Sequence, residues 1–302
     1  MNIRNTLKLA AIDIGSNAIR FQVSYVNKFE GNFTFKKLEY IRFPLRLGHD
    51  VFSIGRISQA TESKFVKLLG AFRSLLELYE VDDFMICATS AMREASNGFE
   101  VADRIKNELS LDINIIDGSR EAEMINKSLK LFLQDGNYIH IDVGGGSTEL
   151  NIYEKKEKIA ARSFQLGSVR SLKDTSSPIQ IKRKMRTWIM ANLPSNEEEI
   201  VAIGTGGNIN KIFDIAYKRP GKALSIKKVN EIKEHIESMS VQERIFKLQL
   251  NPDRADVIVP AADIYIAAMQ FADAKKIIVP DVGLKDGILE MLFEKNKERF
   301  EA

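Results

Sequence analysis

One stretch of sequence occurs twice in the chain, and this repetition restricts the folds that the chain can adopt. Residues 8–26 read KLAAIDIGSNAIRFQVSYV, and residues 137–154 read NYIHIDVGGGSTELNIYE. Each copy has an apolar segment, the pattern Ile-Asp-apolar-Gly, a polar turn and a second segment in which apolar and polar residues alternate. Alternation with a period of two predicts a β-strand, so each copy is predicted to be a hairpin with a glycine-rich tip. Rossmann and P-loop nucleotide sites do not fit, because a helix follows their glycine loop.

The rest of the chain alternates between helical and strand-like patterns, which is typical of an α/β fold. A length of 302 residues corresponds to about two domains. Because one hairpin opens each half, we expect two similar lobes, residues 1–125 and 126–302, with a shared cleft; whether the final helix packs back on the first lobe stays open. The patterns predict helices over 58–79, 98–109, 121–133, 179–192, 208–217, 226–238, 241–248, 261–272 and 286–300, and strands over 84–88, 113–116, 200–203 and 276–279.

Composition excludes several classes of protein. The chain has 44 basic and 41 acidic residues and a net charge of +3, which is no bulk signature of nucleic-acid binding. Cys87 is the only cysteine, so no disulfide can form within the chain, and we expect it to be a small core residue. No apolar run approaches the ~18 residues of a membrane-spanning helix. We therefore expect a cytoplasmic protein that binds neither membrane nor nucleic acid.

The two hairpins differ in the charged residues beside their tips. Strand alternation places Asp142 and Glu149 on the same side of the second hairpin, where they would lie next to each other. Magnesium commonly takes one or two carboxylates from a protein and further oxygens from a substrate phosphate. A solvated Asp and Glu near a turn is the alternative interpretation. In the first hairpin the matching residues are Asp13 and Arg20, so that hairpin favours clamping an anion.

Glycine clusters supply a second kind of candidate site. Residues 144–148, Gly-Gly-Gly-Ser-Thr, could form a nest of backbone amides for an anion, and residues 15–17 could form a smaller one. Residues 204–208 follow a predicted strand and precede a helix, a position where phosphate binds well. Arg93 follows another predicted strand and could bind phosphate through two hydrogen bonds. Ordinary turns and a surface arginine are the alternatives.

Six segments taken together resemble the exopolyphosphatase / guanosine pentaphosphate phosphohydrolase family, and the match covers almost the whole chain. The resemblance implies the fold of actin and the sugar kinases: α/β, with two similar actin-like (ribonuclease H-like) lobes, each a mixed sheet flanked by helices, and a cleft between them. The segments are DIGSNAIRF (13–21), ATSAMREASN (88–97), GSREA (118–122), IDVGGGSTEL (141–150), GTGGN (204–208) and DRADVIVPAA (253–262).

The resemblance also implies roles for single residues. Glu121 would be the general base that activates water, although its position alone indicates only a carboxylate in the first turn of a helix. Asp142 and Glu149 would bind Mg²⁺, with another divalent cation or K⁺ left open. A homodimer is expected on the same basis. The residues expected to contact substrate are Asp13, Ser16, Asn17, Arg20, Arg93, Gly145, Gly146, Ser147, Thr148 and Gly206.

The expected reaction is hydrolysis of the terminal phosphoanhydride of inorganic polyphosphate. Hydrolysis of guanosine pentaphosphate, an actin-like nucleotide sensor without turnover, and a sugar-kinase-like transferase are the alternatives. The sequence departs from the family at Asp117, where serine is usual, and at Asn208, where threonine is usual, which concerns substrate detail. The basic segments 182–186 and 218–228 are either solvated surface or a guide for a polyanion.

Overall fold

The computed structural model describes residues 6–173, 177–196, 198–216 and 223–300. The chain forms two compact units, residues 1–128 together with 283–302, and residues 129–282. The division after residue 128 lies close to the predicted one after residue 125. The segment 283–302, counted above with the second lobe, belongs to the first unit.

The first unit is built on a five-stranded mixed sheet in the order β3-β2-β1-β4-β5. Strand β2 is antiparallel to both β1 and β3, and β4 and β5 run parallel to β1. The strands are β1 (Thr6–Ile14), β2 (Ile19–Phe29), β3 (Asn32–Phe43), β4 (Asp83–Ala88) and β5 (Ile113–Ile115). The helices are α1 (Leu47–Ile54), α2 (Gln59–Leu78), α3 (Ser90–Glu94), α4 (Gly98–Leu109), α5 (Gly118–Leu129) and α13 (Leu284–Asn296), with short 3₁₀ segments at Lys130–Phe132 and Lys297–Phe300.

Both faces of β1 in the first unit are buried. On one face Ile12 and Ile14 belong to a core that includes Phe21 and Phe72, whose rings stack 4.8 Å apart. Helix α13 packs against β1, β2 and β4. The last helix of the chain therefore completes the unit that begins at the first strand.

The second unit contains a six-stranded mixed sheet in the order β10-β11-β9-β6-β7-β8. Helix α12 is almost wholly apolar and packs against β6 and three other helices, α7, α8 and α9. The strands are β6 (Asn137–Val143), β7 (Thr148–Glu154), β8 (Glu157–Phe164), β9 (Ile200–Thr205), β10 (Leu224–Ser225) and β11 (Lys276–Ile278). The helices are α6 (Arg170–Lys173), α7 (Ser177–Asn192), α8 (Gly207–Ala216), α9 (Ile226–Glu237), α10 (Val241–Lys247), α11 (Pro252–Ala255) and α12 (Ile258–Phe271).

The two sheets share one topology. The order β3-β2-β1-β4-β5 in the first corresponds to β8-β7-β6-β9-β11 in the second, with the same parallel and antiparallel neighbours. The duplication predicted from the repeated hairpin is thus confirmed at the level of the whole sheet. Each hairpin also gains a third strand, β3 or β8, that the sequence patterns did not predict. In the described part of the chain, no helix has the length and apolarity needed to cross a bilayer.

Candidate active site

The first hairpin places an acidic side chain, Asp13, opposite a basic one, Arg20. Asp13, at the end of β1, is the register partner of Arg20 in β2. Arg20 Nη1 donates to Asp13 Oδ2 at 2.7 Å, and Asp13 is 5% exposed whereas Arg20 is only partly buried. A largely buried carboxylate holding one end of a guanidinium fixes the direction of the other end. The predicted pairing of these two positions is confirmed.

The tip of this hairpin is held by its carbonyl groups. Gly48 N donates to Ser16 O at 2.7 Å, and Arg46 N donates to Asn17 O at 3.0 Å. The hydroxyls of Ser16 and Ser90, both buried, lie 2.8 Å apart and share a hydrogen bond. A Cβ on Gly48 would lie 2.9 Å from Ser16 Cβ, so this glycine permits the close approach. Sequence reasoning missed Gly48, which carries no motif of its own.

Arg93 and Glu121 belong to neighbouring segments of the first unit. Arg93 Nη1 donates to Ile116 O at 2.5 Å, directly before the start of α5. Asp117 Oδ1 accepts from Arg120 N at 2.8 Å, so Asp117 caps the helix that carries Glu121. Asp is among the good N-cap residues, as Ser is. Glu121 itself is 9% exposed, in the first turn.

Cys87 lies fully buried in β4, next to Asp13 in the sheet register. Burial, with the negative charges of Asp13 and Glu121 adding to it, raises the pKa of its thiol to about 12, and Arg120 opposes the shift. The thiol therefore stays protonated and is no nucleophile. The expectation of a core cysteine is confirmed.

The second hairpin places two carboxylates opposite each other. Asp142 in β6 is the register partner of Glu149 in β7, so the predicted side-by-side arrangement is confirmed. Glu149 is 1% exposed and Asp142 is partly buried. Ser163, opposite Glu149 in β8, donates its hydroxyl to Glu149 Oε1 at 2.9 Å. A serine hydroxyl fixes one oxygen of the glutamate without neutralising its charge.

The glycine tip of the second hairpin is anchored through its carbonyl groups. Ser168 N donates to Gly144 O at 3.0 Å, and the amides of residues 169 and 170 both donate to Gly145 O, at 2.8 and 3.0 Å. Across the described residues, the amides of Gly145 and Gly146 donate no hydrogen bond. With the carbonyls engaged on one side, these two amides are available to an anion on the other. The tip has the chemistry of the predicted anion nest.

Side chains beside the tip reinforce this anchoring. Arg170 Nε donates to Gly146 O at 2.7 Å, which brings a positive charge next to the nest. Thr148 is fully buried, and its hydroxyl donates to Leu166 O. Ser147 is 4% exposed. Arg170 was missed by sequence reasoning, because it follows the glycine tip by more than twenty residues and only the fold returns it there.

The third glycine cluster meets the carboxylates of the second hairpin. Thr205, at the end of β9, is the register partner of Asp142, and Gly206 follows it with φ of 109°. Only glycine adopts this conformation readily. A Cβ on Gly206 would lie 3.1 Å from Asp142 Oδ1 and 3.2 Å from Tyr265 Oη. The structure thus joins two clusters that lie more than sixty residues apart in sequence.

A buried polar cluster lies behind Asp142 and Glu149. His140, fully buried, is the register partner of Asn151, whose Nδ2 donates to His140 Nδ1 at 2.9 Å. This assigns the proton to Nε2, which donates to Thr205 Oγ1 at 2.9 Å. Burial lowers the pKa of His140 to about 3, so its ring is neutral. Sequence reasoning missed this cluster, although alternation puts His140 on the same face of the strand as Asp142.

Comparison with known proteins agrees with this arrangement. A model described as the Ppx/GppA phosphatase family matches residues 26–296. The chain belongs to the Ppx/GppA phosphatase family. Family membership makes it a phosphoanhydride hydrolase. Among solved structures, a Ppx/GppA family member from Aquifex aeolicus superposes with a TM-score of 0.76 at 22% identity, covering 96% of this chain and 99% of that one. An exopolyphosphatase from Cytophaga hutchinsonii gives 0.79 at 22% identity, with coverages of 95% and 98%. The expected actin-like fold of two lobes, each a mixed sheet with helices, is confirmed.

Proteins similar to this chain carry different names. Exopolyphosphatase 1 of Mycobacterium leprae is 22% identical over 94% of this chain and 88% of its own length. A guanosine-5'-triphosphate,3'-diphosphate pyrophosphatase of Aeromonas salmonicida is 23% identical over 98% of this chain and 61% of its own length. A bifunctional 3-dehydroquinate synthase/phosphatase of Fusobacterium nucleatum is 28% identical over 92% of this chain, which spans only 45% of that protein.

The donor set of this Ppx/GppA member fits a magnesium ion. Among the described residues, no group of three or more His, Cys, Asp or Glu side chains could hold a metal. The pair Asp142 and Glu149 matches an ion that takes one or two carboxylates and completes its shell with water and phosphate oxygens.

The basic segment 182–186 lies in helix α7. In α7, Met185 is buried while Arg183, Lys184 and Arg186 are exposed, which is the pattern of an amphipathic helix with a solvated face. Residues 217–222, which include three of the five basic residues of the segment 218–228, lie outside the described residues.

Proposed function

We propose that this chain is an exopolyphosphatase. It hydrolyses the terminal phosphoanhydride of inorganic polyphosphate and releases orthophosphate. The observation that carries the proposal is the second hairpin, where a carboxylate pair, Asp142 and Glu149, adjoins two glycine amides that donate no hydrogen bond within the described residues. The carboxylates can bind a cation and the amides can bind the phosphate groups that it accompanies. The name of the Mycobacterium leprae relative supports polyphosphate as the substrate.

Binding of the phosphate chain is assigned to backbone amides and arginines. Gly145, Gly146 and Gly206 offer amides, and Arg20 and Arg93 offer guanidinium groups held by Asp13 and by a carbonyl respectively. Ser16, Asn17, Ser147 and Thr148 complete the proposed contacts. Phosphoryl transfer depends mostly on such positioning and charge stabilisation. Magnesium bound by Asp142 and Glu149 would neutralise charge on the phosphate oxygens.

Glu121 is the proposed general base. It accepts a proton from a water molecule as the water oxygen bonds to the terminal phosphorus. The bond from that phosphorus to the bridging oxygen breaks, so the products are orthophosphate and a chain one phosphate shorter. Burial of Glu121 at the start of α5 limits the other water around it. We also propose that the protein is a homodimer and that it is located in the cytoplasm.

Guanosine pentaphosphate is the second candidate substrate. The same bond, a terminal phosphoanhydride, is broken by the same chemistry. The name of the Aeromonas salmonicida relative supports this candidate. A sensor that binds nucleotide without hydrolysis is the third interpretation, and in it Glu121 only begins a helix.

Phosphate release separates these interpretations. The purified chain is incubated with long-chain polyphosphate, guanosine pentaphosphate or ATP, with and without Mg²⁺. Glu121→Gln is run beside it, with Glu123→Gln as the matched control, because Glu123 is exposed on the same helix and pairs with Arg120 at 2.6 Å. We expect Glu121→Gln to lower kcat by about 100-fold or more, the usual contribution of a general base, and Glu123→Gln to leave it within about twofold.

Other outcomes are equally informative. Equal rates for the wild type and Glu121→Gln would disprove the general-base assignment. Faster release from guanosine pentaphosphate than from polyphosphate would favour the second candidate. Nucleotide binding without any phosphate release would favour the sensor.

A further inference from the structure

Tyr265 joins the ends of two strands of the second unit. It lies in α12 and is fully buried. Its hydroxyl accepts a hydrogen bond from Val143 N at 3.2 Å and donates one to Thr205 O. Val143 directly follows Asp142, and Thr205 directly precedes Gly206. One hydroxyl therefore contacts the backbone beside two residues assigned to the site.

The bridge stands where the strand ladder stops. Asp142 and Thr205 are the last register partners of β6 and β9. Beyond them β6 continues into the glycine tip, and β9 turns through Gly206 into α8. A buried amide and a buried carbonyl at such a divergence need other partners, and leaving them without any is costly. The phenol hydroxyl is both an acceptor and a donor, so it satisfies both groups at once.

The Tyr265 hydroxyl also lies close to Gly206 and to the Asp142 carboxylate. The ideal Cβ position of Gly206 lies 3.2 Å from Tyr265 Oη and 3.1 Å from Asp142 Oδ1. Both the hydroxyl and the carboxylate thus lie so close to the backbone of Gly206 that no side chain fits between them and this residue. Movement of the tyrosine hydroxyl would change the separation of the other two groups.

We propose that Tyr265 is a positioning residue, whose hydroxyl sets the spacing between the Asp142 carboxylate and the Gly206 loop. The proposal rests on the proposed function, in which Asp142 binds the metal and Gly206 faces a phosphate. Tyr265 touches neither substrate nor metal, and acts through the backbone of its two neighbours. Losses of about 10- to 100-fold in metal affinity or activity are typical when a supporting partner of a metal ligand is removed.

A pair of variants isolates the hydroxyl. Tyr265→Phe removes only the oxygen and keeps the ring in the core. Tyr138→Phe is the matched control, because Tyr138 is also buried in this unit, stands at the opposite end of β6 from Asp142, and its hydroxyl accepts from Gln134 N at 3.4 Å. Binding of Mn²⁺ alone is measured by electron paramagnetic resonance. Phosphate release from polyphosphate is measured as kcat and KM.

We expect Tyr265→Phe to weaken Mn²⁺ binding by about 10-fold or more and to lower kcat by a similar factor, with little change in KM. Tyr138→Phe is expected to change each quantity less than about twofold. Mn²⁺ affinity and kcat of Tyr265→Phe within twofold of wild type would overturn the proposal. Equal losses in both variants would also overturn it, because a general loosening of the unit would then account for them.

Amide hydrogen exchange provides a second test, which needs neither phosphate release nor a folded variant. In the wild type, the Val143 amide should exchange as slowly as the central residues of β6. Rapid exchange at Val143 would overturn the proposal even if Tyr265→Phe failed to fold. In folded Tyr265→Phe, exchange should accelerate at residues 142–146 and 204–208 and stay unchanged at 138–140. If the wild type released no phosphate but this exchange pattern held, the proposed function would fail while the positioning role stood.

Discussion

At the scale of single residues, burial decides what a titratable group can do. His140 could be a ligand, a base or a structural group from its type alone. In the structure it is enclosed by Asn151 and Thr205, which use both ring nitrogens. A neutral histidine with both nitrogens engaged supports the carboxylate end of β6 and does not exchange protons near pH 7.

The lowered pKa of His140 predicts a loss of stability in mild acid. The unfolded chain binds a proton at this residue below pH ~6.5, but the folded chain does so only near pH 3. The contribution is therefore present above pH ~6.5 and is lost as the pH falls toward 3. Between pH 7 and pH 5, the free energy of unfolding of the wild type should fall by about 2 kcal/mol more than that of His140→Gln. Urea unfolding at the two pH values measures this, and identical decreases would contradict it.

At the scale of elements, the hairpins and most helices follow from local patterns. The predicted helix over 58–79 is observed as Gln59–Leu78 with Ser58 as its cap, and the helix predicted over 98–109 is observed at Gly98–Leu109. Strand β3 was missed because its side chains are mostly exposed and a register shift interrupts its apolar alternation. The two-residue turn Glu30-Gly31, with φ of 48° and 79°, returns the chain so that β3 pairs with β2.

Close packing of one element on the second hairpin gives a prediction at this scale. A Cβ on Gly167 would lie 2.4 Å from Gly145 O, so Gly167→Ala must displace either the glycine tip or the segment that anchors it. We expect a loss of about 1–3 kcal/mol in the free energy of unfolding, as for other overpacked sites, and slower phosphate release. Gly70→Ala is the control. Gly70 lies inside α2, and a Cβ there would meet only Leu109 Cδ2, at 3.9 Å. Replacing a glycine inside a helix with alanine should raise the free energy of unfolding by about 0.5–1 kcal/mol. Denaturant unfolding of both variants tests the pair, and equal stabilities would contradict the packing argument.

At the scale of the whole molecule, the first unit is discontinuous in sequence. Helix α13 packs on β1, β2 and β4, and Gly287 lets it approach α5, since a Cβ there would lie 2.1 Å from Met124 O. Lys127 and Glu294 form an ion pair of 2.5 Å between the same two helices. The helix that carries Glu121 is therefore supported by the last helix of the chain.

Truncation tests this dependence. A chain ending at Val282 should lose exchange protection in residues 6–128, because the covered face of β1 becomes exposed, and should keep it in residues 129–282. Gly287→Ala, a milder change, should accelerate exchange in α5 first. Hydrogen exchange with mass spectrometry reports both. Unchanged protection of residues 6–128 in the truncated chain would show that the first unit does not need its last helix.

The sequence by itself determined the two hairpins, their glycine tips and the pairs Asp13–Arg20 and Asp142–Glu149. A period of two and a tight turn are local properties, and together they decide which residues face each other. Only the tertiary structure decided that Tyr265, Gly167 and Arg170 meet the second hairpin and that the last helix completes the first unit. Those contacts join segments that are distant along the chain, and long-range packing leaves no periodic signal in either of the segments that it brings together.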